Sequence, residues 1–351
     1  GCWCASGKGR WWLQRREGDP RRPLPLFYLP LQFGWVAVGP WAVAVAAAAA
    51  ARGSAWAAAF VVAVLALTLD PLPSYSPRFR HHPAFDTWRR YHRVRLLTPA
   101  LPYLLDAERA AGGDGGGADG RPPPHLPSPA VIAHYPHGVF PTGSFLSAPL
   151  CGDPATGLPS DTVAAVASVL LRLPVVRQVL AAYGCVPATR GALEAALARG
   201  ASVGVLPEGV AGVFARATPT VERVQTRHRG YIKLALRSAA TQILPVLVLG
   251  QSRALTFAGS ARLSRALRAS VGVWWGRWGL PCLPRPVDVV LIVCPPVRVG
   301  TIAAPTQADV DGVFERVADR LRAAFAAHAA AVPGYAGTRL EFVDAEGRVT
   351  E

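Results

Sequence analysis

The longest apolar run lies between Trp35 and Leu69, WVAVGPWAVAVAAAAAARGSAWAAAFVVAVLALTL, with Arg52 its only charge. An Arg52-Gly53-Ser54 break divides it into Trp35–Ala51 and Ala55–Leu69. Each half is at or just under the ~20 residues that cross a bilayer as a helix. The pattern predicts a helical hairpin that enters and leaves one leaflet. Arg10, Arg15, Arg16, Arg21 and Arg22 precede it, and Arg78, Arg80, Arg89, Arg90, Arg93 and Arg95 follow. Positive charge on both flanks puts both ends in the cytosol. The alternative is a buried Ala-rich helix pair of a soluble protein, but so long an uncharged run has few soluble uses.

The pattern then changes. Ala110–Pro129 (AAGGDGGGADGRPPPHLPSP) is Gly, Pro and Asp without periodicity and reads as a flexible surface insertion. Beyond it, short apolar runs alternate with helical spacing. Ala130–His134, Ser202–Leu206, Ile243–Leu249 (despite Pro245) and Val287–Val293 read as buried strands. Thr162–Tyr183 reads as a helix with Asp161 as N-cap and Pro174 as a break; Leu193–Ala198, Tyr231–Ala239 and the amphipathic Gln307–Ala331 also read as helices. Strands separated by helices predict an α/β fold, a mostly parallel sheet flanked by helices, preceded by the N-terminal membrane helical hairpin. The carboxyl ends of such strands are where sites are built.

Composition narrows the partners. Of 351 residues, 51% are apolar and only 17% charged, and Lys and Arg exceed Asp and Glu by 37 − 22 = 15. That surplus suits an acidic membrane surface or a phosphate-rich molecule such as coenzyme A. Nucleic acid is not expected, because no basic motif of a nucleic-acid module accompanies the scattered Arg residues. The six cysteines, at 2, 4, 151, 185, 282 and 294, form no CxxC and read as reduced thiols; no metal is expected. The chain opens on Gly and holds no Met, so sequence upstream of Gly1 is expected.

Two turns follow predicted strands. Tyr135-Pro136-His137-Gly138 follows the first, and Pro207-Glu208-Gly209 the second. A neutral imidazole at His137 takes the proton of an alcohol attacking a thioester. Gly138 lets the backbone pass close to a substrate. Backbone N–H groups of a helix opened by Pro141 would hold the developing oxyanion. A turn histidine bonded to backbone would look the same. Glu208 either orients His137, holds a basic partner, or is a surface turn residue. Arg190, Arg227, Arg229 and Lys233 are candidates for the coenzyme A phosphates, although solvated faces also carry such charges. His134 and His137 form a His-x-x-His that can suggest metal, but residues three apart in a strand point to opposite faces, so His134 reads as structural. Gly200-Ala201-Ser202-Val203-Gly204 matches a serine hydrolase elbow, but with the helix before and the strand after it, so Ser202 reads as an ordinary strand residue.

From roughly Pro71 to Phe342 the chain resembles the type 2 diacylglycerol acyltransferase family, which includes monoacylglycerol and wax-ester acyltransferases. The likeness rests on Tyr135-Pro136-His137-Gly138, Thr142-Gly143-Ser144-Phe145, Arg229-Gly230-Tyr231-Ile232-Lys233-Leu234-Ala235 and Leu244-Pro245-Val246. Gly279-Leu280-Pro281, Pro284-Arg285, Pro295-Pro296-Val297 and Pro305-Thr306 continue it in the family's order. Departures are Tyr135 for the first His of an HPHG-type tetrad, Glu208 inside its turn, and Leu249-Gly250-Gln251 where Phe-Gly and an acidic residue are common. Glycerophospholipid acyltransferases, a more distant group, carry an Asp where this chain has Thr142.

The resemblance implies a glycerolipid acyltransferase-like core at 70–351, with the insertion 110–129, behind a basic segment at 1–34 and the hairpin at 35–69. It implies transfer of a fatty acyl group from acyl-CoA to diacylglycerol, giving triacylglycerol. His137, Gly138 and Glu208 would be catalytic, and Arg190, Arg227, Arg229 and Lys233 would bind the donor. No bound cofactor is implied. Monoacylglycerol, a wax alcohol or phytol are alternative acceptors, and a basic lipid-droplet scaffold is the non-enzymatic alternative. The expected address is the endoplasmic reticulum membrane with the catalytic domain cytosolic, lipid droplets being a second address; a homo-oligomer is left open.

Overall fold

A computed structural model describes residues 2–6, 9–13, 35–69, 71–98, 129–151, 156, 158–215, 217–238, 240, 242–267, 270–281, 283–344 and 347–350. Most of the basic N-terminal segment, and all of the predicted insertion but Pro129, lie outside these residues.

Two strands, β1 (Cys2–Ser6) and β2 (Gly9–Leu13), precede the hairpin helices α1 (Trp35–Ala51) and α2 (Ala55–Leu69). These coincide with the two apolar runs. At 1.5 Å rise they are about 26 and 23 Å long, short of the about 30 Å of a hydrocarbon core. Among the described residues no helix is long and apolar enough to cross a membrane, which corrects any expectation of a transmembrane helix. Among its described side chains several apolar ones are bare: Trp56 beside the turn is 89% exposed and Leu69 86%, although Val64 is buried. The end of α2 is tied down by Gln178, whose Nε2 donates to the Leu67 carbonyl at 2.6 Å.

Two short helices, α3 (Pro77–Arg80) and α4 (Ala84–Tyr91), lead to β3 (Arg95–Leu97). The α/β core follows: β4 (Ala130–Tyr135), α5 (Thr142–Ser147), β5 (Thr162–Val166), α6 (Val176–Tyr183), β6 (Cys185–Pro187), α7 (Arg190–Ala198), β7 (Ser202–Val205), α8 (Gly209–Phe214), β8 (Val221–Gln225) and α9 (Gly230–Arg237). Next come β9 (Gln242–Leu249), α10 (Gln251–Ala254), β10 (Thr256–Gly259), α11 (Ala261–Leu267), β11 (Gly272–Trp275), β12 (Val290–Val293) and β13 (Val297–Arg298). The chain closes with α12 (Gln307–His328), β14 (Arg339–Val343) and β15 (Val349–Thr350).

The main sheet runs β1-β2-β3-β12-β9-β4-β7-β5-β6, with β13 also on β9. Strands β9, β4, β7, β5 and β6 are parallel, and β12 lies antiparallel to β9. The fold is α/β, a mostly parallel sheet flanked by helices. One face packs α7, α9 and α12 through Leu197, Ile232, Phe314 and Leu321; the other packs α4, α5 and α6 through Trp88, Leu146 and Tyr183. Each such side chain contributes about 1.5–3 kcal/mol by leaving water. The Thr306–Asp309 capping box starts α12.

Two departures have local causes. Thr162–Val166 is a strand, not the start of a helix, and only Val176–Tyr183 is α-helical. An Ala- and Val-rich run fits both periods, and pairing with β7 selects the extended one. Pro245 sits inside β9, where a missing N–H ordinarily breaks a ladder. Its carbonyl accepts from Cys294 N–H at 2.9 Å, so its nitrogen faces the gap between β12 and β13, where β9 has no ladder partner.

Candidate active site

Strand β4 alternates faces: Val131, Ala133 and Tyr135 enter one core and Ile132 the other. Tyr135 is 1% exposed and meets the Tyr231 ring edge-on, so this member of the tetrad is a core residue. The chain then leaves the sheet through Pro136, His137 and Gly138. Gly138 has φ +66°, and a Cβ there would lie 3.0 Å from the Gln251 carbonyl oxygen. Only glycine fits that turn.

The His137 ring is 2.7 Å from the Gly138 carbonyl through Nδ1. A carbonyl only accepts, so Nδ1 carries the proton and Nε2 keeps its lone pair. Burial pushes the imidazole pKa below its ordinary value, so the ring is neutral at pH 7. A neutral ring with a defined acceptor nitrogen is the state a general base needs.

Glu208 does not touch that ring. It is wholly buried, and its Oε2 accepts the backbone N–H of His137 while its Oε1 accepts that of Gln225 at 2.6 Å. The Glu208 carboxyl group joins the turn after β4 to the end of β8. Burial raises its pKa to about 8, against the pull of its two N–H donors. Gly212 completes the packing: a Cβ there would come 2.7 Å from that of His137.

A third group clamps the same turn. Gln251 is wholly buried at the end of β9; its Nε2 donates to the Pro136 carbonyl and its Oε1 accepts Gly143 N–H at 3.0 Å. Those partners settle which end of the amide is oxygen. With Thr142 N–H on the Phe140 carbonyl at 2.8 Å, the first two N–H groups of α5 are taken. Neither of these two N–H groups is therefore free to hold an oxyanion. Position after a strand, the signal that singles out His137 and Glu208, also applies to Gly250-Gln251, which sequence reasoning left unassigned.

Behind the clamp, Glu222 is wholly buried and its Oε2 accepts Ser252 Oγ at 2.9 Å and Tyr335 OH at 2.6 Å. Tyr335 in turn accepts Gly250 N–H at 2.7 Å. Arg253 lies over the Tyr335 ring at 3.7 Å. Nothing in the sequence around Glu222 or Tyr335 signals this network.

The predicted donor-binding cations divide. Arg227, Arg229 and Lys233 lie where β8 feeds α9, and Arg227 N–H bonds the side chain of Gln225, the residue whose own N–H is held by Glu208, at 3.1 Å. Arg229 is already ion-paired with Asp311 and stacked over Phe314. Arg190 is on α7, exposed and paired with Glu194 at 2.6 Å.

Nucleophiles are quiet. Ser202 is buried in β7 and its Oγ accepts Ala130 N–H at 3.0 Å. The described Cys151, Cys185 and Cys294 are free thiols, and burial pushes Cys185 and Cys294 up to about 12. Among the described residues no cluster of His, Cys, Asp or Glu could hold a metal.

Residues 128–342 match the family model described as diacylglycerol acyltransferase. Among solved structures the chain is similar to the 1-acyl-sn-glycerophosphate (LPA) acyltransferase PlsC from Thermotoga maritima. Identity is 14% and the TM-score 0.38, over 84% of this chain and 93% of that one. A score so low carries no argument.

Proposed function

The chain belongs to the diacylglycerol acyltransferase family and is an acyltransferase of glycerolipids; from that premise we propose that it moves a fatty acyl group from acyl-CoA to the free hydroxyl of diacylglycerol. The observation that carries this reading is the His137 ring, whose Nδ1 faces the Gly138 carbonyl at 2.7 Å and leaves Nε2 free to accept.

The acceptor hydroxyl gives its proton to Nε2 as its oxygen attacks the thioester carbonyl. The tetrahedral intermediate collapses, the carbon–sulfur bond breaks, and coenzyme A thiolate leaves with the proton from the imidazolium. Atoms balance without an acyl-enzyme, in keeping with the inert Ser202 and the high thiol pKa values. Gly138 brings the backbone close to the reacting carbonyl, and Glu208 fixes the main chain of the base. Arg227, Arg229 and Lys233, joined by Arg190, attract the donor's phosphates. The α1–α2 hairpin, with its exposed Trp56 and Leu69, rests in the endoplasmic reticulum membrane and supplies the lipid acceptor, leaving the sheet in the cytosol.

The test is release of coenzyme A and label transfer from radioactive oleoyl-CoA, with diacylglycerol, monoacylglycerol, a long-chain alcohol and phytol offered in turn. Diacylglycerol is expected to be the preferred acceptor, with transfer lost in membrane-inserted His137→Ala. Equal triacylglycerol synthesis by that variant would sink the assignment of the base, and preference for another alcohol would replace the acceptor.

A further inference from the structure

Five residues after Gln251 the chain makes an excursion, β10–α11–β11 and the turn to Pro281, that packs by one side only. Phe257 meets Phe214 of α8 at 5.2 Å and stacks near Trp274 at 6.5 Å, which places the excursion beside the helix that follows Glu208. Ser264 Oγ accepts Val271 N–H at 2.9 Å and ties α11 to β11. Five other large apolar side chains, Leu263, Leu267, Val273, Trp278 and Leu280, are 46–68% exposed, while Val271 and Trp275 are half-buried. That many on one short excursion mark a docking surface and not the scatter of an ordinary exterior.

Trp278 is held at φ +56°, a region a bulky residue rarely adopts, and Gly279 follows at +70°. The strain serves no packing, since the ring is 68% exposed. What it accomplishes is to present the indole at the tip of a tight turn with the Arg277 guanidinium over it at 4.2 Å. Backbone strain without a packing return points to function. Charge identifies the partner. Thr256–Pro281 itself holds four arginines, Arg262, Arg265, Arg268 and Arg277, and no Asp or Glu. An exposed indole, arginines without acidic neighbours in sequence and exposed leucines are the groups that a phospholipid surface takes up.

We propose that the Thr256–Pro281 excursion is a second membrane-contact surface, separate from the α1–α2 hairpin, which enters the headgroup layer of an anionic bilayer. It would hold the His137 end of the sheet at the lipid plane, where a neutral acceptor resides. That consequence rests on the acyl-transfer reading above; the contact does not. One lipid signal gives marginal attachment and two give a stable one, so the pair also fixes orientation.

Hydrogen exchange of the full chain would be followed in nanodiscs of phosphatidylcholine alone and of phosphatidylcholine with phosphatidylserine. Amides of 261–280 are expected to exchange about fivefold more slowly in the anionic discs, the effect of about one cation at a charged surface, with β4 and β9 unchanged. Trp278→Ser combined with Leu280→Ser should abolish that difference and lower turnover of disc-embedded acceptor severalfold, leaving turnover of detergent-dispersed acceptor unchanged. Equal exchange in the two discs overturns the proposal, as does protection that follows protein concentration, which would mean a second copy on this face. If no acyl transfer occurs with any acceptor, the function fails while the exchange data still decide the contact.

Discussion

The hairpin at one end of the chain and the clamped turn at the carboxyl end of β4 are opposites in how they meet water. The hairpin is nearly all apolar and lies open, with Trp56 and Leu69 almost fully exposed. The turn is polar and closed in. Its Pro136 carbonyl and His137 N–H are held by Gln251 and Glu208, two side chains with no exposure at all. Buried polar groups held at both ends resist displacement, because each lost partner strands another group. Exposed apolar groups lose little when changed and act through what they touch outside the molecule. The proposed chemical site buries polar groups and the proposed lipid anchor exposes apolar ones, so each inverts the usual rule in its own way.

That contrast can be broken at its polar end first. His137→Ala should lower kcat by about 10³, the usual worth of a general base, with the thermal midpoint little changed; a tenfold effect or less would mean another base. Gln251→Leu strands the Pro136 carbonyl and the Gly143 N–H together, so a loss of about 2–4 kcal/mol of stability is expected in denaturant unfolding. Gln251→Glu sharpens the point. An ionised carboxyl cannot donate to Pro136, whereas a protonated one can, so activity of that variant should recover relative to wild type as pH falls. A flat ratio across pH would remove the clamp from the argument.

His134 lies between the two extremes, partly exposed and one strand step from the turn. Burial depresses its pKa to about 4, with Val205 as backbone partner. Between pH 6.5 and about 4 the unfolded chain binds the proton and the folded one does not. Its stabilisation is therefore complete above 6.5 and is lost as pH falls towards 4. The amount is on the order of 2 kcal/mol after allowing for partial exposure, read as an acid-limb drop in unfolding free energy that His134→Gln lacks. The smallest effect belongs to the hairpin. Trp56→Ser should change stability by less than about 0.5 kcal/mol and still weaken recovery of the protein with liposomes. A large loss of stability in solution would show that Trp56 is covered.

The two regions also differ in how plainly the sequence announces them. Both hairpin helices have the limits expected from the apolar runs, since uninterrupted apolarity and the Arg52-Gly53-Ser54 break are local signals. So are the short buried runs of β4, β7 and β9. The clamp is not local: His137 meets Glu208 across 71 residues, and Gln251 meets Pro136 across 115. Position after a strand points to His137 and Glu208, yet nothing in the text of the chain says that Glu208 grips a backbone amide and not a ring. Glu222 and Tyr335, 113 residues apart, carry no motif at all. The Thr162–Val166 strand was hidden for another reason: small and β-branched residues satisfy two periods, and only the neighbouring β7 chooses between them.

The hydroxyl of Tyr335 has a bearing on the order in which the protein becomes competent. It holds Gly250 N–H and Glu222 at once, yet it is synthesised after every strand of the main sheet and after the whole of α12. During translation every strand of the main sheet has its residues before the wedge behind Gln251 arrives, although Tyr335 and Phe342 are still missing from the core on the α12 side. A nascent chain stalled before that tyrosine would hold the lipid-seeking hairpin and His137 but not a finished clamp. If the hairpin attaches to a membrane as proposed, attachment would come early and catalytic readiness late.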